Sequence, residues 1–87
     1  MRHAARTDAT QAEVVKALRA IGCSVYYIKL PVDLLVCHRK ETMLLEVKEE
    51  GGRLTKQQVE FIATWPGRVE VVRGPQEAVN AVLGGIK

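Results

Sequence analysis

A chain of 87 residues has room for one hydrophobic core and none for a second domain. With 47% apolar and 26% charged residues and a mean hydropathy of -0.03, the composition is that of a single folded domain, which excludes a disordered chain, and no stretch approaches the ~18 apolar residues of a membrane span. Thirteen Lys and Arg against ten Asp and Glu leave a net charge of +3, which is compatible with a polyanionic partner without requiring one.

Two cysteines, Cys23 and Cys37, are too few for a disulfide framework, and their apolar neighbours point to buried free thiols in a reducing, intracellular setting. No Cys or His spacing suits zinc, and Met1-Arg2-His3-Ala4-Ala5-Arg6 lacks the apolar run of a signal peptide.

Taken in chain order, Val14, Val15, Leu18 and Ile21 recur at helical spacing, Thr10-x-x-Glu13 fits a capping box, and Gly22 fits a C-cap. The pattern predicts a helix over residues 10–21. Residues 24–30, 34–37 and 42–48 are rich in β-branched, aromatic and apolar positions and predict three strands, with His38-Arg39-Lys40-Glu41 as the loop between the last two. Glu49-Glu50-Gly51-Gly52-Arg53 breaks the pattern. Thr55-x-x-Gln58 is a second capping-box signal, for a helix carrying Val59, Phe61, Ile62 and Trp65 and stopped by Pro66-Gly67. Residues 69–73 predict a fourth strand, and Gly74-Pro75 starts a last helix with Ala78, Val79, Val82 and Leu83 as its buried stripe and Gly84-Gly85 as its end. The order α-β-β-β-α-β-α, without repeat or linker, predicts one small α/β sandwich over residues 1–87, with a mixed sheet of about four strands.

The chemistry lies in the hairpin. If residues 38–41 form its loop, Cys37 faces Thr42 and partner numbers sum to 79, which sets Asp33 opposite Glu46. Carboxylates facing each other across a sheet, with Cβ atoms about 4.5–5.5 Å apart, repel unless a positive charge sits between them. Lys48 shares the Glu46 face, because side chains alternate along a strand, while Met43, Leu45 and Val47 point the other way. Two carboxylates and a backbone carbonyl, that of Val47, suit Mg²⁺ or Mn²⁺, which prefer hard oxygen ligands and keep several waters. Salt pairing on a solvated sheet face is the alternative, and a one-residue register slip would separate the acids. An acid-x-Lys triplet alone arises about once by chance in such a composition.

Pro31-Val32-Asp33 followed by Leu45-Glu46-Val47-Lys48 resembles the PD-(D/E)xK nuclease motif. The run Gly52-Arg53-Leu54-Thr55-Lys56-Gln57-Gln58 and then Gly67-Arg68-Val69-Glu70-Val71-Val72-Arg73 is similar to the VRR-NUC branch of that superfamily, whose minimal stand-alone members occur in phages and bacteria. The likeness extends over residues 10–83. It implies a restriction-endonuclease-like fold, with Asp33 and Glu46 as metal ligands and Lys48 as the base that orients water or steadies phosphate charge. It adds Glu13 as a further first-helix ligand and Gln58 as an orienting residue, although helix capping explains both equally well. Val32 stands where the family has proline before the aspartate, with Pro31 displaced by one.

Arg53 and Lys56 flank the proposed site and Arg39 and Lys40 sit at the hairpin tip, which makes these four the phosphate-contact candidates. Tyr26, Tyr27 and Trp65 read as core or dimer contacts. Cys23, Cys37, His3 and His38 lack the partners of a covalent nucleophile. The resemblance implies a structure-selective endodeoxyribonuclease, and the stand-alone members resemble Holliday junction resolvases. A two-fold symmetric junction needs two nicks, which a C2 homodimer supplies. The expectation is therefore a Mg²⁺- or Mn²⁺-dependent dimer acting on branched DNA in the cytoplasm of a bacterial or phage-infected cell. The alternative is a DNA-binding or helicase-partner module without catalysis.

Overall fold

In the computed structural model, which describes residues 4–84 and their side chains from Ala9 onward, the chain opens with helix α1 (Ala4–Ala20). Its buried stripe is the expected one: Val14, Val15 and Leu18 are enclosed. Thr10 does not cap it. The helix is already formed at Ala4, since Ala4, Ala5 and Ala9 continue it upstream, and favourable propensity over those residues outweighs a local capping signal. The C-terminal end is as expected. Gly22 takes φ +96°, Gly22 N–H donates to the Arg19 carbonyl at 3.0 Å and Cys23 N–H to that of Leu18 at 3.0 Å, the paired bonds of a Schellman cap.

Strand β1 (Ser24–Tyr27) is shorter than its composition suggests. Ile28 and Lys29 leave the ladder because both amides donate to the Asp33 carbonyl, at 2.8 and 3.2 Å, and Leu30 N–H turns back to the Ile28 carbonyl at 2.8 Å. The backbone bonds of this segment close a turn, and that overrides the strand propensity of its side chains. Strands β2 (Leu34–His38) and β3 (Glu41–Val47) form the hairpin. His38 pairs with Glu41, so only Arg39 and Lys40 form the turn. Their φ values of 53° and 72° are those of a type I′ turn, whose twist matches the strands. Shortening the loop symmetrically leaves the register intact, and Leu34 faces Leu45 as Cys37 faces Thr42.

Helix α2 (Lys56–Thr64) then crosses to strand β4 (Val69–Val72), parallel to β3, and helix α3 (Pro75–Gly84) closes the described chain. The sheet order is β1-β2-β3-β4, antiparallel except for the last pair. The chain is thus a small α/β domain of the expected element order. Helices α1 and α3 pack on each other and on one sheet face, where Val14, Leu18, Val36, Leu45, Val72 and Val82 form the core. Glu46 and Lys48 project from the other face, toward α2, which buries no residue of its own.

Tyr26, Tyr27 and Trp65 are not core residues. Tyr26, 67% exposed, is on edge strand β1, Tyr27 ends that strand, and Trp65 follows the last turn of α2. Leu83 also departs from the expected stripe, because one position beyond buried Val82 the helix has turned about 100° into solvent. Both cysteines are free, Cys23 buried on the core face and Cys37 only half-buried. His3 and Gly85 lie outside the described residues. Among the described residues no helix is long and apolar enough to cross a membrane.

Candidate active site

The site begins where β2 runs out. Leu44 and Lys48 donate their amides to Arg68 and Val72, each at 3.0 Å, so the even positions of β3 bond toward β4 and the odd ones toward β2. Val47 is the first odd position beyond the end of the β2 ladder. Its amide finds a side chain instead of a strand: Asp33 Oδ2 accepts it at 2.8 Å. This bond fixes the Asp33 carboxylate at the mouth of the hairpin, beside Glu46. The Val47 carbonyl leaves the strand on the same side as its amide.

Glu46 is 3% exposed. Its Oε2 accepts a hydrogen bond from Gln58 Nε2 at 2.8 Å and lies 3.4 Å from Lys48 Nζ. Among the described residues its buried Oε1 has no hydrogen-bond partner, an arrangement that costs about 1–3 kcal/mol and is uncommon in native proteins. Burial raises the Glu46 pKa above its ordinary value, the neighbouring Asp33 charge raises it further, and Lys48 and Gln58 act in the opposite direction. The protein thus holds a carboxyl group in a place that disfavours its charge.

Gln58 shows why its two roles were equally legible. Thr55 N-caps α2, accepting from Gln58 N–H at 3.1 Å, while Gln58 Oε1 accepts from Thr55 N–H at 2.9 Å. Because an amide N–H can only donate, the carbonyl end of the Gln58 side chain must face Thr55, and its NH₂ must face Glu46. Capping and site orientation are therefore one arrangement. The cap fixes which end of the amide meets the carboxylate.

These groups line a cleft of about 610 Å³ together with Glu49, Gly52 and Arg53. Its rim is a turn: Gly52 N–H donates to the Glu49 carbonyl at 2.8 Å, and Gly51 at φ +80° supplies the positive φ that the third position of a type II turn needs. Arg73 locks that rim. Its Nη1 donates to the carbonyls of Glu49 at 2.7 Å and Gly52 at 2.9 Å. Arg73 is the residue sequence reasoning missed as part of the site, and no local signal marks a bond between positions so far apart.

The structure brings Asp33, Glu46, Val47, Lys48, Arg53 and Gln58 to one cleft. It does not bring Glu13, which is solvent-exposed on α1; the helix sits on the core face of the sheet, opposite the Glu46 side chain. Among the described residues no three His, Cys, Asp or Glu side chains are grouped to hold one metal ion, so the expected ligand set loses Glu13. Lys56 is the exposed first residue of α2 and does not line the cleft, and Arg39 and Lys40 occupy the opposite end of the hairpin, about 20 Å along the strands from Asp33. Comparison with protein-family models, with curated proteins and with solved structures finds no match.

Proposed function

We propose that the chain is a Mg²⁺- or Mn²⁺-dependent endodeoxyribonuclease related to the VRR-NUC branch of the PD-(D/E)xK superfamily. The observation that carries this reading is Glu46: a buried carboxylate, next to a second acid, with one oxygen tied by Gln58 and Lys48 and the other left without a partner. Keeping such a group is unfavourable unless a cation completes it. Asp33, Glu46 and the Val47 carbonyl are hard oxygen donors, and a cation that keeps several of its waters needs no more than one or two carboxylates. The donor set fits Mg²⁺ or Mn²⁺ without Glu13.

When bound, the ion would polarise a phosphodiester and lower the pKa of a coordinated water. The protein's own groups do the rest. The Val47 amide holds Asp33 in place, and Gln58 holds the Glu46 carboxylate through Oε2. Lys48, 19% exposed, presents its ammonium to the same space, where it donates to the attacking water or to a phosphate oxygen that gains charge. Arg53 on the rim attracts the phosphate backbone. Water attacks phosphorus, one P–O bond to sugar breaks, and the products are a phosphomonoester and a hydroxyl end.

The preferred substrate in this reading is branched DNA, a four-way junction above all, cut in the cytoplasm of a bacterial or phage-infected cell. The described residues of one chain form one acid-lysine cleft, whereas a two-fold junction presents two strands, so a homodimer matches it. The absence of a third ionisable ligand among the described residues favours a second reading, a DNA-binding or helicase-partner module that retains the fold without catalysis. Cleavage of a labelled four-way junction beside a linear duplex of the same sequence, with Mn²⁺ or EDTA, separates the two. Metal-dependent paired nicks at the junction, lost in Glu46→Ala, support the nuclease. Binding without cutting in the presence of Mn²⁺ supports the module.

A further inference from the structure

Across Gln58 from the acid-lysine cleft lies a second one, of about 370 Å³, lined by Lys29, Leu30, Pro31, Gln57, Gln58 and Phe61. The two clefts share Gln58 as a wall, and that wall is fixed because its amide is bonded to Thr55 on one side and Glu46 on the other. The rest of the lining is an unusual combination. Leu30 is 82% exposed, yet it does not sit on a slack loop. Ile28 and Lys29 are both bonded to the Asp33 carbonyl and Leu30 to that of Ile28, with Lys29 held at φ 71°, a backbone region L-residues seldom adopt. The turn that presents Leu30 to water therefore closes on the same residue whose carboxylate enters the first cleft. An apolar side chain held out by fixed backbone bonds leaves its hydrophobic surface unburied until something covers it. Phe61 completes the cleft from α2. Its ring is supported by Trp65, with centroids 5.2 Å apart, and Trp65 lies against Gly67, where a Cβ would come within 2.8 Å of Trp65 Nε1.

We propose that this second cleft receives one unpaired nucleobase of the strand whose phosphate occupies the first. The inference rests on the nuclease reading for the position of that phosphate. The chemistry of the lining matches the parts of a nucleotide: Phe61, Pro31 and Leu30 offer an apolar and aromatic surface to a base face, Gln57 carries both donors and an acceptor for a base edge, and Lys29 offers a cation to the adjoining phosphate. A paired base reaches such a cleft only after unstacking, whereas a branch point supplies an unpaired one without that cost. Selection for branched DNA would then arise beside the metal site, within a single chain.

The test uses a forked duplex with 2-aminopurine at the branch, or several base pairs inside the duplex, titrated with the full chain in EDTA so that nothing is cut. Wild type is expected to change the fluorescence of the branch probe and not of the interior one, and Leu30→Ser to weaken fork affinity by about tenfold with loss of that change. Leu30 is exposed, so the variant keeps its fold, which a thermal melt verifies. Unchanged branch fluorescence with wild type, or an identical response and affinity in Leu30→Ser, overturns the proposal. Cutting by wild type in Mn²⁺ is measured in parallel: cutting without the fluorescence change removes the base cleft and leaves the nuclease, and the fluorescence change without cutting supports the cleft and removes the nuclease.

Discussion

Glu46→Gln should make the metal-free protein more stable and the metal-loaded protein less so. The substitution keeps the shape of a side chain that is 3% exposed and keeps an acceptor for Gln58 Nε2. It trades the charged, partnerless Oε1 for a neutral amide nitrogen in the same place, so the relief is the extra cost of burying a charge over a dipole, about 1–2 kcal/mol, and it removes the pairing with partly exposed Lys48, worth about 0–1 kcal/mol. The net gain is about 1 kcal/mol, which for a domain of this size raises Tm by about 4–8 °C. The gain depends on pH. Since the native Glu46 pKa lies above its ordinary value, the folded state holds more protons than the unfolded one from about pH 4.3 up to the raised value, and wild-type stability falls as pH rises through that window. The advantage of the variant is therefore absent near pH 4 and complete above the window. Mn²⁺ at about a hundred times its Kd would stabilise wild type alone by about 2.7 kcal/mol, reversing the order. Thermal melts of both proteins in EDTA and in Mn²⁺, at several pH values, test this. A variant that is less stable than wild type in EDTA, or one that responds to Mn²⁺ as wild type does, would mean that Glu46 carries no such unpartnered charge and holds no cation.

Thr55→Ala removes the acceptor of the Gln58 amide and should cost about 1 kcal/mol. It should leave cleavage by the folded protein little changed, because the bond that turns the Gln58 side chain toward Glu46 is donated by the Thr55 backbone N–H, which alanine keeps; a large loss of cleavage in a folded variant would show that the hydroxyl itself orients Gln58. Arg73→Ala cuts both bonds to the rim of the cleft. Since those bonds are exposed, stability should fall by less than about 1 kcal/mol, while a loosened rim should reduce cleavage by about tenfold or more. Melting and cleavage measured on the same sample check this, and unchanged cleavage would contradict it.

The hairpin was the most legible part of the chain, for a physical reason. Arg39 and Lys40 accept the left-handed backbone of a two-residue turn, and any loop shortened equally from both ends preserves the pairing of Leu34 with Leu45. The approach of Asp33 to Glu46 follows from that register. Boundaries governed by competing bonds were less legible. Residues 28–30 have strand-like side chains, but their amides are taken by Asp33 and Ile28. Thr10 carries a capping signal that the helix simply runs through. Glu13 shows a limit of motif resemblance, since a residue can match by position and still sit on the wrong side of the sheet. Gln58 shows a limit of another kind: in the sequence capping and orientation read as alternatives, whereas a side-chain amide with two ends performs both. The Arg73 bonds span 24 and 21 positions, and no periodicity or spacing encodes them.

In the proposed function Asp33 and Glu46 together hold a divalent cation, with the Glu46 oxygen that lacks a partner among the described residues as one donor. Calorimetric titration of Mn²⁺ into wild type, Asp33→Asn and Glu46→Gln is the decisive measurement. One ion should bind per chain in wild type, with affinity that rises with pH as the proton on Glu46 is displaced, and both variants should lose that binding. Absence of binding to wild type, or equal binding in all three proteins, would contradict it.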